Sequence, residues 1–261
     1  MKKTLPLVSL FLLLFLFSAC EKAAPETTFV PSTLPTGERE TLSVEEEDGV
    51  TFCVFSDKTC EVLSFDGEKH SSLTLSIPEK YEGAAVVAVG DGVFAGTKLE
   101  KISLPEGLKS IGKGAFQRSA LKKIALPDSL TQLGEECFDN CAHLEEVSFG
   151  KGLTRVPVGA FFACKSLKEI DLPEGVRVIE EEAFADLAAL EKIRLPSTLE
   201  VIGPYAFWNS GAAPLSLEIP PAVREVGENA FLNSRIEIVT YGGESEAVQN
   251  AIRSYLEGEK I

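Results

Sequence analysis

A phenylalanine returns along most of this chain at a nearly constant interval. The pairs Val93-Phe94, Ala115-Phe116, Cys137-Phe138, Ala160-Phe161, Ala183-Phe184, Ala206-Phe207 and Ala230-Phe231 place successive phenylalanines 22, 22, 23, 23, 23 and 24 residues apart. Eleven residues before a phenylalanine stands a Leu-Pro-like step: Leu104-Pro105, Leu126-Pro127, Leu172-Pro173, Leu195-Pro196 and Ile219-Pro220. Phe149-Gly150 replaces it once, and the first unit, with Ile77-Pro78, carries an insertion. A period of this length means one supersecondary unit stacked on copies of itself.

With Leu121 as position 1, apolar residues fall at 1, 4, 6, 10, 13, 17 and 18, and the same columns hold Leu167, Ile170, Leu172, Val176, Ile179, Ala183 and Phe184. Positions 4 and 6 share one face of a short strand. Proline at position 7 cannot donate to a ladder and ends it. Positions 10 to 18 sit at near-helical intervals, which predicts a turn-rich or short helical return segment with its apolar side inward. One such unit cannot enclose a core, but a stack can. Each rung buries about six apolar side chains at roughly 1.5–3 kcal/mol apiece, and seven rungs make a rod of roughly 34 Å.

The Leu-x-x-Ile-x-Leu cores at 121–126, 167–172 and 190–195 resemble leucine-rich repeats. The Leu-Pro step, Ile-Gly at 111–112 and 202–203, the Ala-Phe pair, and Cys141 and Cys164 in one column resemble the BspA-like subclass. The resemblance covers residues 73–240 and implies a mostly β repeat solenoid of about seven units. It also implies a secreted or surface bacterial protein, of a family in which some members are implicated in adhesion to host matrix or to other bacteria. The asparagine of the commonest leucine-rich repeats is missing, so the turn after the strand must be satisfied in another way.

Residues 1–19 read as a secretory leader. Lys2 and Lys3 precede an apolar run from Leu5 to Phe17, and its thirteen residues fall short of the about 20 needed to span a bilayer. Phe17-Ser18-Ala19-Cys20 is similar to a bacterial lipobox, which makes Cys20 the lipidated first residue of an exported, membrane-anchored protein. Residues 20–45, with Pro25, Pro31 and Pro35, read as a flexible tether.

A solenoid needs closed ends. Residues 46–72 are expected to supply an N-terminal hairpin, with strands on either side of Ser56-Asp57-Lys58. Residues 241–261 are expected to supply a C-terminal cap helix from Glu246, after a last strand at Ile236 to Val239. Export permits disulfides; Cys53 and Cys60 lie on opposite arms of the hairpin and would bond if the turn centres on Ser56-Asp57. Cys137, Cys141 and Cys164 read as buried free thiols.

The formal charge of −15 disfavours nucleic acid as a partner. There are two histidines, His70 and His143, both read as solvated, and no nucleophile elbow, phosphate loop or His-Glu-x-x-His. The acidic runs Glu45-Glu46-Glu47-Asp48 and Glu180-Glu181-Glu182 lack calcium-loop spacing and read as solvated charge. No cofactor or metal is expected, and the expected function is non-catalytic binding of a host-surface or bacterial protein. The alternative is a structural envelope lipoprotein facing the periplasm.

Two surfaces are candidates for binding. One is the outward strand face, with Lys101, Lys123, Glu146, Glu169, Asp171, Lys192 and Arg194, where Glu169 and Asp171 are placed to pair with Lys192 and Arg194. The other is an aromatic patch of Phe162, Tyr205 and Trp208, in which Phe162 and Trp208 share the column that follows each Ala-Phe phenylalanine.

Overall fold

The computed structural model describes residues 39–257. The described residues open with three antiparallel strands, β1 (Thr41–Glu47), β2 (Val50–Phe55) and β3 (Thr59–Phe65), followed by β4 (Thr74–Ser76), β5 (Lys80–Tyr81) and β6 (Ala84–Val89). From there a three-residue strand and a two-residue strand alternate. They are β7 (Lys101–Ser103), β8 (Ser110–Ile111), β9 (Lys123–Ala125), β10 (Gln132–Leu133), β11 (Glu146–Ser148), β12 (Arg155–Val156), β13 (Glu169–Asp171), β14 (Val178–Ile179), β15 (Lys192–Arg194) and β16 (Val201–Ile202). The last turn has β17 (Leu215–Ile219), β18 (Glu225–Val226) and β19 (Ile236–Tyr241), and α1 (Glu246–Glu257) follows.

This is a right-through stack of turns rather than two lobes. Corresponding strands pair in parallel, β4 with β7, β9 with β11 and β13 with β15 on the strand face, and β6 with β8, β8 with β10 and β12 through β18 on a second face. In β9, Lys123 and Ala125 are exposed while Ile124 is buried, and Leu126 just beyond is buried as well. That is the period-2 pattern expected of positions 3 to 6. The two-residue strands of the second face lay hidden in the sequence, because two residues are too short to show a period.

The seven phenylalanines form one spine. Each is at most 3 % exposed, and successive ring centroids lie 5.3, 5.2, 5.1, 5.5, 5.6 and 5.5 Å apart with interplanar angles of 16° or less. Such offset stacking adds about 0.5–1.5 kcal/mol per pair to the burial itself. Phe65 closes the spine at one end and Tyr255 of α1 at the other, at 5.4 and 5.7 Å.

The return segments are turns, and α1 is the only helix among the described residues. Two residues in every rung hold positive φ, two before and two after the phenylalanine: Glu136 and Asn140 about Phe138, Glu182 and Asp186 about Phe184, Tyr205 and Asn209 about Phe207. Left-handed residues at that spacing forbid a helix. They turn every second backbone N–H toward the next rung instead. Phe116 N donates to Cys137 O (2.9 Å), Phe138 N to Ala160 O (2.8 Å) and Phe161 N to Ala183 O (2.9 Å), which makes a third ladder along the spine.

The turn after the strand is satisfied by the proline's own carbonyl. Leu108 N donates to Pro105 O (3.1 Å), Leu130 N to Pro127 O (3.0 Å) and Leu199 N to Pro196 O (3.1 Å). A second polar column does the rest. The thiols of Cys141 and Cys164 donate to the carbonyls of Phe116 and Phe138 one rung back, at 3.0 and 3.1 Å, and the Ser210 hydroxyl donates to Phe184 O at 2.8 Å. Both groups fill the role of a small buried donor, which explains why serine and cysteine share a column.

The ends differ from expectation in detail. The β1 strand begins at Thr41, inside the segment read as tether, and pairs with β2 through Asp48-Gly49, both at positive φ. Asp-Gly in a two-residue loop is the strongest hairpin signal a sequence carries, and here it lay within the acidic run. The N-terminal cap thus has three strands, and β3 joins the second face by pairing with β6. At the other end α1 buries Val248, and Tyr255 Oη donates to Ile236 O at 2.7 Å.

Cys53 and Cys60 are free thiols. The hairpin pairs Cys53 with Glu61 and Val54 with Cys60, one residue from the register a bond would need. A one-residue offset sends the two side chains to opposite faces of the sheet.

Candidate binding faces

All seven charged residues of the expected strand face are exposed and lie on β7, β9, β11, β13 and β15. Much of their charge is spent within the face. Lys123 Nζ lies 2.6 Å from Glu146, Lys192 pairs with Glu169, and Arg194 Nε lies 3.6 Å from Asp171. Pairs this exposed are worth at most about 1 kcal/mol, so they set the charge pattern more than the stability. The pattern is asymmetric: Glu146 and Glu169 meet as like charges in adjacent rungs, each with its cation on the far side. Glu145, Glu146, Val147, Ser148, Phe149, Glu169 and Asp171 line a cleft of about 350 Å³ there.

The aromatic column runs along the turn face. Phe162, Tyr205 and Trp208 are half-buried, and Ala185, between Phe162 and Trp208 in the column, is fully buried. Phe162 and Trp208 stand apart from the continuous core that holds their neighbours Phe161 and Phe207. The Tyr205 hydroxyl accepts a hydrogen bond from Asn229 Nδ2 at 2.9 Å, which fixes the ring beside the column. Asn209 and Asp186, joined by a 2.7 Å hydrogen bond, add polar edges.

His70 corrects the sequence reading. Its side chain is 7 % exposed, with Nδ1 2.9 Å from Asp48 Oδ2 and Nε2 3.0 Å from the Thr74 carbonyl oxygen, and its ring packs edge-on against Phe65. It ties the β1–β2 turn to β4 rather than standing in solvent. The acidic run beside it is likewise engaged, with Glu46 on Lys69 (2.7 Å) and Glu45 accepting from Tyr81 Oη (3.3 Å). Glu180 accepts from Arg155 and from Val158 N. His143 is exposed. Glu200 lies between Arg177 and Arg224, and Arg177's hydrogen bond in particular holds its carboxyl below the usual range.

Among the described residues no cluster of histidine, cysteine, aspartate or glutamate is arranged to hold a metal ion, and no helix is long and apolar enough to cross a membrane. The five described cysteines are buried. Burial pushes the Cys53 thiol up and the Cys60 thiol to about 12, and it raises Cys137 and Cys164 strongly. Because the thiolate is the reactive form, the folded protein should react with a thiol reagent at pH 8 far more slowly than the unfolded protein. Rapid labelling of Cys137 or Cys164 before unfolding would contradict the burial. Cys20 lies outside the described residues.

Sequence reasoning missed the hydrogen-bonding column. Ser119, Cys141, Cys164 and Ser210 all lie three residues after a spine phenylalanine, a signal visible once serine and cysteine are read as equivalent donors.

Parallel ladders, stacked phenylalanines and an exposed strand face define the class: a leucine-rich repeat solenoid. Residues 87–214 match, in six copies, the family model for the BspA type leucine rich repeat region, and the chain carries such a region. A leucine-rich repeat protein from Eubacterium ventriosum superposes with a TM-score of 0.68 at 25% identity, over 77% of this chain and 52% of its own. A leucine rich cell surface protein from Faecalibacterium prausnitzii gives 0.67 at 25% identity, over 77% of this chain and 55% of its own. The leucine rich repeat protein of T. pallidum gives 0.65 at 24% identity, over 77% and 98%, and shows the shared fold. The chain spans about half the length of the first two. No protein of curated function matches it.

Proposed function

We propose that this protein is a non-catalytic protein-binding module of adhesive type, held at a bacterial surface by lipid on Cys20, and that its partner docks on the Phe162–Tyr205–Trp208 patch. The observation that carries the docking site is the position of Trp208, the only tryptophan in the chain. It is half-buried on the turn face and outside the core, although the spine beneath it is complete without it. Tryptophan and tyrosine dominate the anchoring positions of protein interfaces. The strand face, with its charges largely paired in place, is suited to weaker, salt-sensitive contacts around that anchor. The description of the Faecalibacterium prausnitzii neighbour as a cell surface protein supports display at the surface.

The test is the double variant Phe162→Ala/Trp208→Ala in the full chain, probed against host matrix proteins and against intact cells of co-resident bacteria. Retention of the bound protein should fall at least tenfold while the thermal midpoint moves by no more than about 2 °C. Unchanged retention would exclude the patch, and a midpoint collapse would make these side chains part of the packing. Protease shaving of intact cells separates surface display from the alternative envelope role facing the periplasm, since surface display leaves the solenoid open to cleavage.

A further inference from the structure

Three ladders hold successive rungs together: the strand face, the two-residue strands of the second face, and the backbone bonds along the spine. Over one turn of the coil, where residues 131–150 lie against residues 154–172, the first two both fail. β11 pairs with β9 but not with β13, and β10 pairs with β8 but not with β12. On the strand face the ladder also stops between β15 and β17, yet there the second face continues from β16 to β18.

Both breaks have a local cause. On the second face, the residue after the two-residue strand donates its N–H one rung back: Gly112 to Val89 O, Gly134 to Ile111 O, Glu180 to Val156 O and Gly203 to Ile179 O, all at 2.7–2.9 Å. In the fourth rung that residue is Pro157, which has no N–H to give. On the strand face, the fourth rung has Phe149-Gly150 where its neighbours have Leu-Pro. A Cβ on Gly150 would stand 2.5 Å from the Pro127 carbonyl carbon and closer still to its oxygen. This stretch is drawn against the third rung, and the space it leaves on the other side is the cleft between β11 and β13. Glu146 faces Glu169 across it, and the bridging bond from Lys168 N to Glu145 O is long at 3.4 Å. The spine alone runs through intact, with Phe138 and Phe161 at 5.1 Å and backbone bonds of 2.9, 2.8 and 2.8 Å from Glu136, Phe138 and Asn140 to the fourth rung.

We infer that the solenoid is built as two rigid halves, residues 39–150 and 151–257, joined across this turn by a hinge, with the phenylalanine spine as the pin. Opening widens the cleft on the strand face and changes the distance between Lys101, Lys123 and Glu146 on one half and Glu169, Asp171, Lys192 and Arg194 on the other. A binding face divided in this way can adjust its curvature to a partner, while each half keeps its own fixed pattern of charge.

Hydrogen exchange on the full chain tests the hinge. Amides in peptides covering 145–150 and 168–172 should exchange at least tenfold faster than those covering 122–126 and 191–195, and those at 154–156 faster than those at 200–203. Uniform protection along both faces would overturn the inference. Two variants then tighten the joint. Ser148→Lys places an exposed ammonium opposite Asp171 and between the facing carboxylates, and Pro157→Ala restores the missing donor toward Leu133 O. Each should slow exchange at its own face severalfold and leave the spine amides unchanged. Fast exchange that neither variant slows would also overturn the hinge, because its cause would lie outside the missing bonds.

Discussion

Replacing Phe138 by alanine should lower the thermal midpoint by about 10 °C, the largest loss expected from truncating one side chain in the solenoid. Phe138 is fully buried at the centre of the spine and stacks on Phe116 and Phe161 at 5.2 and 5.1 Å. Phenylalanine-to-alanine changes in a core cost about 3–5 kcal/mol, and in a domain of this size each kcal/mol shifts the midpoint by roughly 2–4 °C. A repeat protein adds a reason for the upper part of that range, because each rung is stabilised chiefly by its neighbours. The cavity would interrupt the ring stack on both sides, within the turn where the other two ladders have their gaps. Phe138→Leu keeps much of the apolar volume and should lie between the two. Calorimetry or far-UV circular dichroism on the three proteins decides it, and a loss of less than about 1 kcal/mol for the alanine variant would show that the stack does not carry the rungs.

The second large effect comes from adding one methyl group. Gly134 follows β10 in the column that also holds Gly112, Gly203 and Gly227. A Cβ there would stand 2.6 Å from Gly112 O and closer still to Gly112 C and Lys113 N, all of them backbone atoms of the rung before. No rotamer relieves a contact with backbone, so Gly134→Ala must push two rungs apart, breaking the bond from Gly134 N to Ile111 O (2.8 Å) and straining the strand pairing. Overpacking of this kind costs about 1–3 kcal/mol, enough to lower the midpoint by several degrees. Gly107→Ala is the control, since its nearest contact would be Val86 O at 4.0 Å, and it should leave stability level or slightly raised. Equal effects of the two substitutions would mean that rung spacing is not set at this column.

Much of this architecture is legible in one dimension. The spacing of the phenylalanines foretells the spine, the Leu-x-x-Ile-x-Leu core foretells the three-residue strands, and the alternation at 123–126 foretells which side chains face outward. Lateral pairing of Glu169 and Asp171 with Lys192 and Arg194 follows from the same columns. The return segment was less readable. Apolar residues at helical intervals are compatible with either a helix or a chain of turns, and the choice rests on backbone angles at Arg118, Glu136, Glu182 and Tyr205, residue types that do not announce positive φ. His70 reads as polar loop because the residues that enclose it, Asp48, Phe65 and Thr74, come from three separate segments. Cys53 and Cys60 failed to meet through a shift of a single residue in register, below what strand patterning can resolve.

The sequence by itself determined the repeat, the direction of each apolar column and the chemistry of both candidate faces, because a stack of like units makes every rung report the same local constraints. Only the tertiary structure decided where the stack is tight and where it is open. The missing donor of Pro157, the close approach at Gly150 and the facing carboxylates of Glu146 and Glu169 are each unremarkable in their own rung. They acquire their meaning from the rung stacked above or below, since hydrogen bonds, van der Waals contact and charge repulsion are all properties of the distance between neighbours.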